Sequence, residues 1–214
     1  MQYPLFIETF TDIQLAFIII VPIVILLFIG IGLYFPISHY YKRKNFQIHF
    51  YKKVYKTAFD RDYYLINQFV FKVDSNKTAM VDHILFGDKF IYVIISQYYE
   101  GDLIGKATDA SLVFVSHRGK KSYTDNPINQ SKVLTNKLSS STGLNASLLI
   151  GIVLINDDCK VQVQSESKQF YIIQRKRFAS LIKAIESRKI GTINEPQLAK
   201  AVQSIAKANK RKKQ

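Results

Sequence analysis

The longest apolar segment of the chain lies near its N-terminus. No charged residue occurs between Ile13 and Ser38, and residues 16–35 read AFIIIVPIVILLFIGIGLYF. A helix of about 20 residues rises about 30 Å, the thickness of the hydrocarbon core of a bilayer, so this segment predicts a transmembrane helix over residues 13–35. A signal peptide would open with Lys or Arg and end in a small-residue cleavage site, and neither is present here.

Charges on either side of this segment predict its orientation. Residues 1–12 carry Glu8 and Asp12 and contain no Lys or Arg, whereas six basic residues lie between positions 42 and 56. Since Lys and Arg accumulate on the cytoplasmic side of membrane helices, we expect the short N-terminus to lie outside the cell. Residues 36–43 then form a basic juxtamembrane linker, and the rest of this single-pass cell-membrane protein is cytoplasmic.

Beyond the linker, the apolar positions alternate between helical and strand periods. Helices are predicted at residues 44–58, 127–138, 178–189 and 195–209, and strands at residues 63–72, 79–86, 90–97, 111–116, 148–155, 161–164 and 170–173. The first helix is predicted from apolar and aromatic residues at helical spacing, namely Phe46, Phe50, Val54 and Tyr55. This order predicts an α/β (α+β) fold with an antiparallel hairpin inside a mixed sheet flanked by helices.

Short polar segments mark the turns between these elements. Gly87-Asp88-Lys89 predicts a tight hairpin between the second and third strands. Asn126 and Pro127 predict the N-cap and the first residue of the helix that follows. Residues 139–143 are predicted to be a loop, and the continuous apolar run 148–155 predicts a strand buried on both faces.

Composition and charge limit the classes of function. The single Cys excludes a disulfide scaffold and a four-Cys zinc site. The chain has 30 Lys and Arg against 16 Asp and Glu, a net charge of +14, which indicates a polyanionic neighbour such as nucleic acid or an anionic membrane surface. The candidate nucleic-acid-binding residues form two basic clusters and are Arg118, Lys120, Lys121, Lys207, Lys210, Arg211, Lys212 and Lys213. Charge alone does not separate phosphate binding from a solvated surface beside an anionic leaflet.

Common catalytic motifs are missing from the sequence. It has no nucleophile elbow, no P-loop and no dinucleotide-binding fingerprint, and its four His residues lack the spacing of metal ligands. His83 follows Asp82 on a predicted strand, so we expect the two side chains to point to opposite faces. We interpret His83 as a hydrogen-bonded support of that strand.

Three segments together resemble the nuclease-related domain (NERD) family: VDHILFGDKFIYVIISQYYEGDLIG, KKSYTDNPINQSKVL and LLIGIVLIND. The resemblance covers roughly residues 44–164 and is carried by the order and spacing of the three segments. It implies a domain over residues 44–175, followed by basic C-terminal helices and a tail over residues 176–214. It also implies a fold related to the PD-(D/E)xK nucleases.

The resemblance identifies the candidate catalytic positions one by one. In such nucleases two carboxylates hold Mg²⁺ and a lysine positions the attacking water. Asp82 matches the first carboxylate, but Ile95 stands at the Glu position and the neutral Gln97 at the Lys position. Gln130 is a further match, or else an ordinary exposed helix position. We therefore expect no cofactor, with Mg²⁺ bound at Asp82 only if some nuclease activity remains.

Three functions stay open at this point. The first, which the resemblance and the charge favour, is a membrane-anchored pseudonuclease that binds DNA or RNA through its basic surfaces without cutting it. The second is an active nuclease whose missing groups have moved, with Glu100, Asp102 and Lys89 as the nearby candidates. The third is an adaptor that holds another membrane or cytoplasmic protein.

Overall fold

The structure, a computed structural model, describes residues 12–74, 77–164 and 167–209. The chain divides into two compact units, with the boundary between Asn45 and Phe46. The predictions made for residues 1–11, and for Lys210, Arg211, Lys212 and Lys213, lie outside the described residues.

The described part of the first unit is a single helix, α1 (Asp12–Lys44). Within the described residues, it is the one helix long and apolar enough to cross a membrane, over Ile19–Lys44. The helix is longer than the predicted span, because residues 36–43, predicted as a basic juxtamembrane linker, continue it in helical form. Its last turn contains Lys42, Arg43 and Lys44, and basic side chains are favoured at the negative end of a helix dipole.

The second unit alternates helices and strands. Its elements are α2 (Phe46–Phe59), β1 (Tyr64–Asp74), β2 (Lys77–Phe86), β3 (Ile91–Gln97), β4 (Gly101–Lys106), β5 (Ser111–Ser116), β6 (Lys121–Asp125), α3 (Pro127–Thr142), β7 (Leu149–Ile155), β8 (Val161–Gln164), β9 (Phe170–Gln174), α4 (Phe178–Glu186) and α5 (Glu195–Ala208). Short 3-10 turns, Ala146–Leu148 and Arg175–Arg177, precede β7 and α4. The predicted mixed α+β fold is confirmed.

The larger sheet has five strands in the order β1-β2-β3-β7-β9. The first three are antiparallel neighbours, and β7 and β9 continue the sheet in parallel with β3. The predicted hairpin is confirmed, since β2 and β3 pair across the turn and the Gly87 N–H donates to the Phe90 carbonyl at 2.9 Å. The β7 strand is buried along its whole length, as its continuous apolar run predicts.

Helices cover both faces of this sheet. On one face, α2 and α4 contribute Phe50, Val54, Phe178 and Ile182 to a core with alternate residues of β3 and β7. On the other face, α3 and α5 pack on the opposite side of β1, β2 and β3. Both α4 and α5 therefore complete the cores of the second unit, although they follow the segment that carries the family resemblance.

A second sheet of four strands, in the order β6-β5-β4-β8, was not predicted. No strand was predicted at β4 or β6 because neither has an apolar run: β4 reads GDLIGK, and β6 reads KSYTD and is largely exposed. Tertiary pairing forms these strands in spite of their low intrinsic preference. The chain thus has two mixed sheets where a single one was expected.

Two helix boundaries illustrate what local sequence can and cannot indicate. The start of α3 is confirmed, with the Asn126 side chain accepting a hydrogen bond from the Ile128 N–H at 3.0 Å and Pro127 following it. The predicted loop 139–143 is wrong, because α3 continues to Thr142. Gly143 then ends the helix with a φ of 68°, a conformation that glycine adopts without a steric penalty.

Candidate functional site

A cavity of about 440 Å³ is lined by residues of α2, of the middle of β1 and β2, and of the C-terminal end of β3. Its lining residues are Gln47, Ile48, Tyr51, Asn67, Gln68, Met80, Asp82, His83 and Ser96. Of the residues proposed from sequence for catalysis or metal binding, this cavity contains Asp82. Asn67, Gln68 and Ser96 were not singled out from sequence, because nothing in their local pattern distinguishes them from ordinary strand residues.

Asp82 and His83 both line this cavity, so the prediction that they point to opposite faces is wrong. The pairing of β1 with β2 includes Asn67 with His83 but omits the next pair, Gln68 with Asp82. Gln68 has a φ of 50°, outside the extended region of a strand. Strict alternation of side chains is therefore interrupted at this point, and the two neighbouring side chains converge on one space.

Asp82 closes the gap where β2 and β3 separate. The described ladder between these strands ends at the pair His83 and Ile94. Beyond it, the Ser96 N–H donates to Asp82 Oδ2 at 2.6 Å, so the carboxylate replaces the missing backbone acceptor. Burial raises the pKa of Asp82 above its usual value, and the hydrogen bonding from Ser96 opposes that rise.

His83 is held in the neutral state by its surroundings. Its Nδ1 lies 2.7 Å from Asn67 Oδ1, and because an amide oxygen only accepts, Nδ1 carries the proton. Burial lowers the pKa of His83 to about 4. The side chain joins β2 to β1, which confirms its interpretation as a hydrogen-bonded support of the strand.

Ile95, at the Glu position implied by the resemblance, is enclosed by apolar side chains. It is only 5% exposed and belongs to a cluster with Leu103 and Leu112 of the second sheet and with Val153 and Ile155 of β7. A branched hydrocarbon fits these surroundings, whereas a carboxylate would lose its hydration without gaining a charged partner among the members of this cluster.

Gln97, at the implied Lys position, forms a neutral bridge from β3 to α3. Its Nε2 donates to Gln130 Oε1 at 2.6 Å, and the Tyr99 hydroxyl donates to its Oε1. Burial raises the pKa of Tyr99 to about 12, so this phenol keeps its proton. The structure thus brings together Gln97 and Gln130, and Gln130 is itself exposed.

The residues considered as relocated catalytic groups have other contacts. Lys89 lies at the turn end of the β2–β3 hairpin, about 15 Å from Asp82 by the rise of the strand. Its Nζ donates to the Arg188 carbonyl at 2.5 Å. Asp102, on β4, accepts a hydrogen bond from the Lys160 N–H at 3.0 Å. Within residues 12–74, 77–164 and 167–209, no group of three or more His, Cys, Asp or Glu side chains is arranged to hold a metal ion.

The first basic cluster lies at the tip of the β5–β6 hairpin. Arg118, Lys120 and Lys121 are all exposed around Gly119, whose φ of 77° forms the turn. Tyr123 is 82% exposed and follows Lys121 by two residues on β6, so both side chains leave the same face of this edge strand. Tyr123 was not among the residues predicted from sequence, although an aromatic residue in the polar segment KSYTD is a usable signal. Of the second cluster, Lys207 is described and is exposed on α5.

Comparisons with known proteins give one match that carries an argument. The solved structure of a protein of unknown function, AF1548, matches over 74% of this chain and 95% of that chain, with 9% identity and a TM-score of 0.34, which is too low to carry an argument. Comparison with curated proteins gives no match. The profile described as "Nuclease-related domain" matches residues 44–156, more than half of the 214 residues and the part that contains Asp82, Ile95 and Gln97. The chain therefore belongs to the nuclease-related domain family.

Proposed function

We propose that this protein is a membrane-anchored pseudonuclease, which binds nucleic acid at the cytoplasmic face of the membrane without cutting it. The observation that carries the proposal is Ile95, which stands at the implied Glu position and is buried in an apolar cluster. A metal ion such as Mg²⁺ requires oxygen ligands, and Ile95 provides none.

The neighbouring groups support the absence of hydrolysis. Gln97 is uncharged and engaged with Gln130, so it offers no positive charge to a phosphoryl group in the transition state. Asp82 is a single carboxylate, and it accepts a hydrogen bond from the Ser96 N–H. One carboxylate and a neutral amide leave a bound water without the activation that metal-dependent cleavage needs.

Nucleic-acid binding is supported by the tip of the β5–β6 hairpin. Arg118, Lys120 and Lys121 can contact phosphates, and the exposed ring of Tyr123 can stack on an unpaired base. These contacts would recognise the backbone and the flat faces of bases. Binding would therefore depend strongly on salt and only weakly on sequence.

Membrane anchoring is supported by α1 and its flanks. Ile19–Lys44 has the length and composition of a membrane span, and its basic residues lie in its last turn, which precedes the second unit in the sequence. By the positive-inside rule, the short N-terminus lies outside the cell and the nuclease-related domain is cytoplasmic.

Fluorescence anisotropy on the full-length protein in detergent tests the binding. Labelled single-stranded and double-stranded DNA and RNA are titrated with the wild type and with a triple variant, Arg118→Ala, Lys120→Ala and Lys121→Ala. The matched control removes the same charge elsewhere, with Lys137→Ala, Lys183→Ala and Lys189→Ala, which are also exposed positions.

The hairpin variant should bind more weakly, and its salt slope on double-stranded DNA should fall by about 0.9 for each phosphate that the variant no longer neutralises. The control should change little. Equal weakening of both variants would show that binding depends on net charge and not on the hairpin tip. No binding by the wild type would overturn the proposal and favour an adaptor.

A further inference from the structure

One side of α2, next to its buried face, exposes an aromatic and apolar stripe, and two of its residues, Ile48 and Tyr51, also line the cavity beside Asp82. The members of the stripe recur at helical spacing and are Ile48 (52% exposed), Tyr51 (39%), Tyr55 (50%) and Phe59 (75%). The opposite set of residues, Phe50, Val54, Thr57 and Ala58, is buried. Among the described elements of the second unit, no other exposes as many large apolar side chains.

The rings of this stripe are ordered along the helix. The centroids of Tyr51 and Tyr55 lie 5.8 Å apart, and those of Tyr55 and Phe59 lie 6.3 Å apart in a stacked arrangement. These distances are within the range of favourable aromatic pairs. The stripe is thus a continuous surface and not a set of isolated exposed residues, and continuous exposed apolar surfaces usually mark a contact with a partner or a membrane.

The charges beside the stripe indicate an anionic partner. Lys52 and Lys56 are exposed on the same helix, and α2 contains no Asp or Glu. A helix that combines Tyr, Phe and Ile on one side with Lys next to them has the composition of helices that lie in the plane of a membrane interface. A nucleic-acid partner would match the lysines but would leave Ile48 and the apolar edge of Phe59 against polar phosphates.

We propose that this face of α2 lies on the anionic phospholipid surface of the membrane that α1 spans. The inference rests on the proposed membrane anchoring and goes beyond it, because it assigns a second, peripheral contact with lipid. One residue separates the end of α1 from the start of α2 in the chain, so α2 begins at the interface if α1 spans. Tyrosine rings are favoured at the headgroup level, and each interfacial lysine adds attraction to anionic lipid.

A tryptophan reporter tests the contact directly, because the natural chain contains no Trp. The full-length protein with Tyr55→Trp is reconstituted in nanodiscs of phosphatidylcholine and phosphatidylglycerol, with and without brominated acyl chains. The expected result is an emission shift to shorter wavelength together with quenching by the brominated lipid. The matched control is Tyr123→Trp, an exposed tyrosine on β6 that should show neither effect.

Charge dependence supplies a second measurement on the same reporter. Quenching should weaken when phosphatidylglycerol is replaced by phosphatidylcholine, and also when Lys52→Glu and Lys56→Glu are added to the Tyr55→Trp protein. Both variants change exposed side chains, so the fold of the second unit should be unaffected. Circular dichroism of the variants verifies this.

A third reporter, Leu26→Trp in α1, separates this inference from the anchoring on which it rests. If the α1 reporter is quenched and the Tyr55→Trp reporter is not, anchoring stands and the interfacial contact is wrong. If neither is quenched, both are wrong. If the Tyr55→Trp emission shifts to shorter wavelength without quenching by brominated lipid, a protein covers the stripe, and the lipid assignment is again wrong.

Discussion

Two positions near the open end of the β2–β3 pair have opposite surroundings. Asp82 borders a cavity and has a polar partner, the Ser96 N–H, at 2.6 Å. Ile95 is 5% exposed and is packed between β7 and the second sheet. Two positions that serve one chemistry in the implied nuclease site thus lie in different surroundings here, one beside a cavity and one in an apolar core.

This difference shows that the two implied positions have separate structural roles in this chain. At Asp82 the carboxylate has a structural use, because it accepts the hydrogen bond of a strand end. At Ile95 the side chain stabilises the contact between the two sheets, so a carboxylate at this position would cost stability. Packing as well as chemistry therefore opposes a metal ligand at position 95.

The largest effect is expected from Ile95→Glu, which tests whether position 95 is enclosed by apolar side chains. A carboxylate buried in this cluster loses hydration without a described charged partner, so we expect the free energy of unfolding to fall by at least about 3 kcal/mol. Ile95→Val, the matched control, should cost only about 1 kcal/mol. Urea unfolding of the full-length protein in detergent, followed by circular dichroism, measures both. Similar values for the two variants would contradict the enclosed surroundings of Ile95.

The polar side of the comparison predicts a pH dependence at His83. Burial lowers the pKa of His83 to about 4 from the usual 6.5. Between these two pH values the imidazole is protonated in the unfolded chain and neutral in the folded protein. The stability contributed by neutral His83 is complete above pH 6.5 and is lost as the pH falls toward 4, by about 3 kcal/mol in all.

Comparison with His83→Gln isolates this effect from other groups. The raised pKa values of Asp82 and Glu186 act in the opposite direction, since these folded carboxyls take up protons first, but both residues remain in the variant. The wild type should lose more stability than the variant between pH 6.5 and 4. Parallel curves would show that His83 titrates normally in the folded protein.

A smaller effect is expected when Asp82 loses its role as an acceptor. Asp82→Ala leaves the Ser96 N–H without its partner, which should lower the free energy of unfolding by about 1–2 kcal/mol. Asp82→Asn keeps an oxygen that can accept and should cost less. Hydrogen exchange at the Ser96 amide should accelerate in the alanine variant only, and equal exchange in both would argue against the hydrogen bond.

The smallest effect is expected at Gln97. Its bond to Gln130 is exposed, so Gln130→Ala should cost only about 0.5 kcal/mol. Gln97→Ala also removes the acceptor of the Tyr99 hydroxyl and should cost slightly more, about 1 kcal/mol. The double variant should cost no more than Gln97→Ala alone if Gln130 acts only through Gln97, and additive losses would contradict this.

Strong local signals predicted much of the fold. The apolar run of β7, the Gly87 turn and the cap at Asn126 are set by nearby residues, and all three are confirmed. The second sheet was missed because β4 and β6 form through pairing with β5, which their own residues do not indicate. The sequence alone shows that Ile95 cannot be a metal ligand. Its burial could not be predicted, because it depends on packing against the second sheet.

The candidate site was predictable only in part. The resemblance located Asp82, Ile95 and Gln97, but the cavity depends on an interruption in the pairing of β1 with β2. The positive φ of Gln68 has no signal in the sequence, since glutamine seldom adopts it. Regular strand alternation therefore predicted that Asp82 and His83 point to opposite faces, whereas both line the same cavity.

The central claim is that this family member binds nucleic acid without cutting it. The direct test incubates the full-length protein in detergent with labelled single-stranded and double-stranded DNA and RNA, with Mg²⁺, with Mn²⁺ or with EDTA, at low and high salt. The account predicts binding that weakens with salt, and no cleavage products under any condition. Metal-dependent products that disappear in Asp82→Asn would contradict it and would show that Asp82 supports hydrolysis without the groups missing at Ile95 and Gln97.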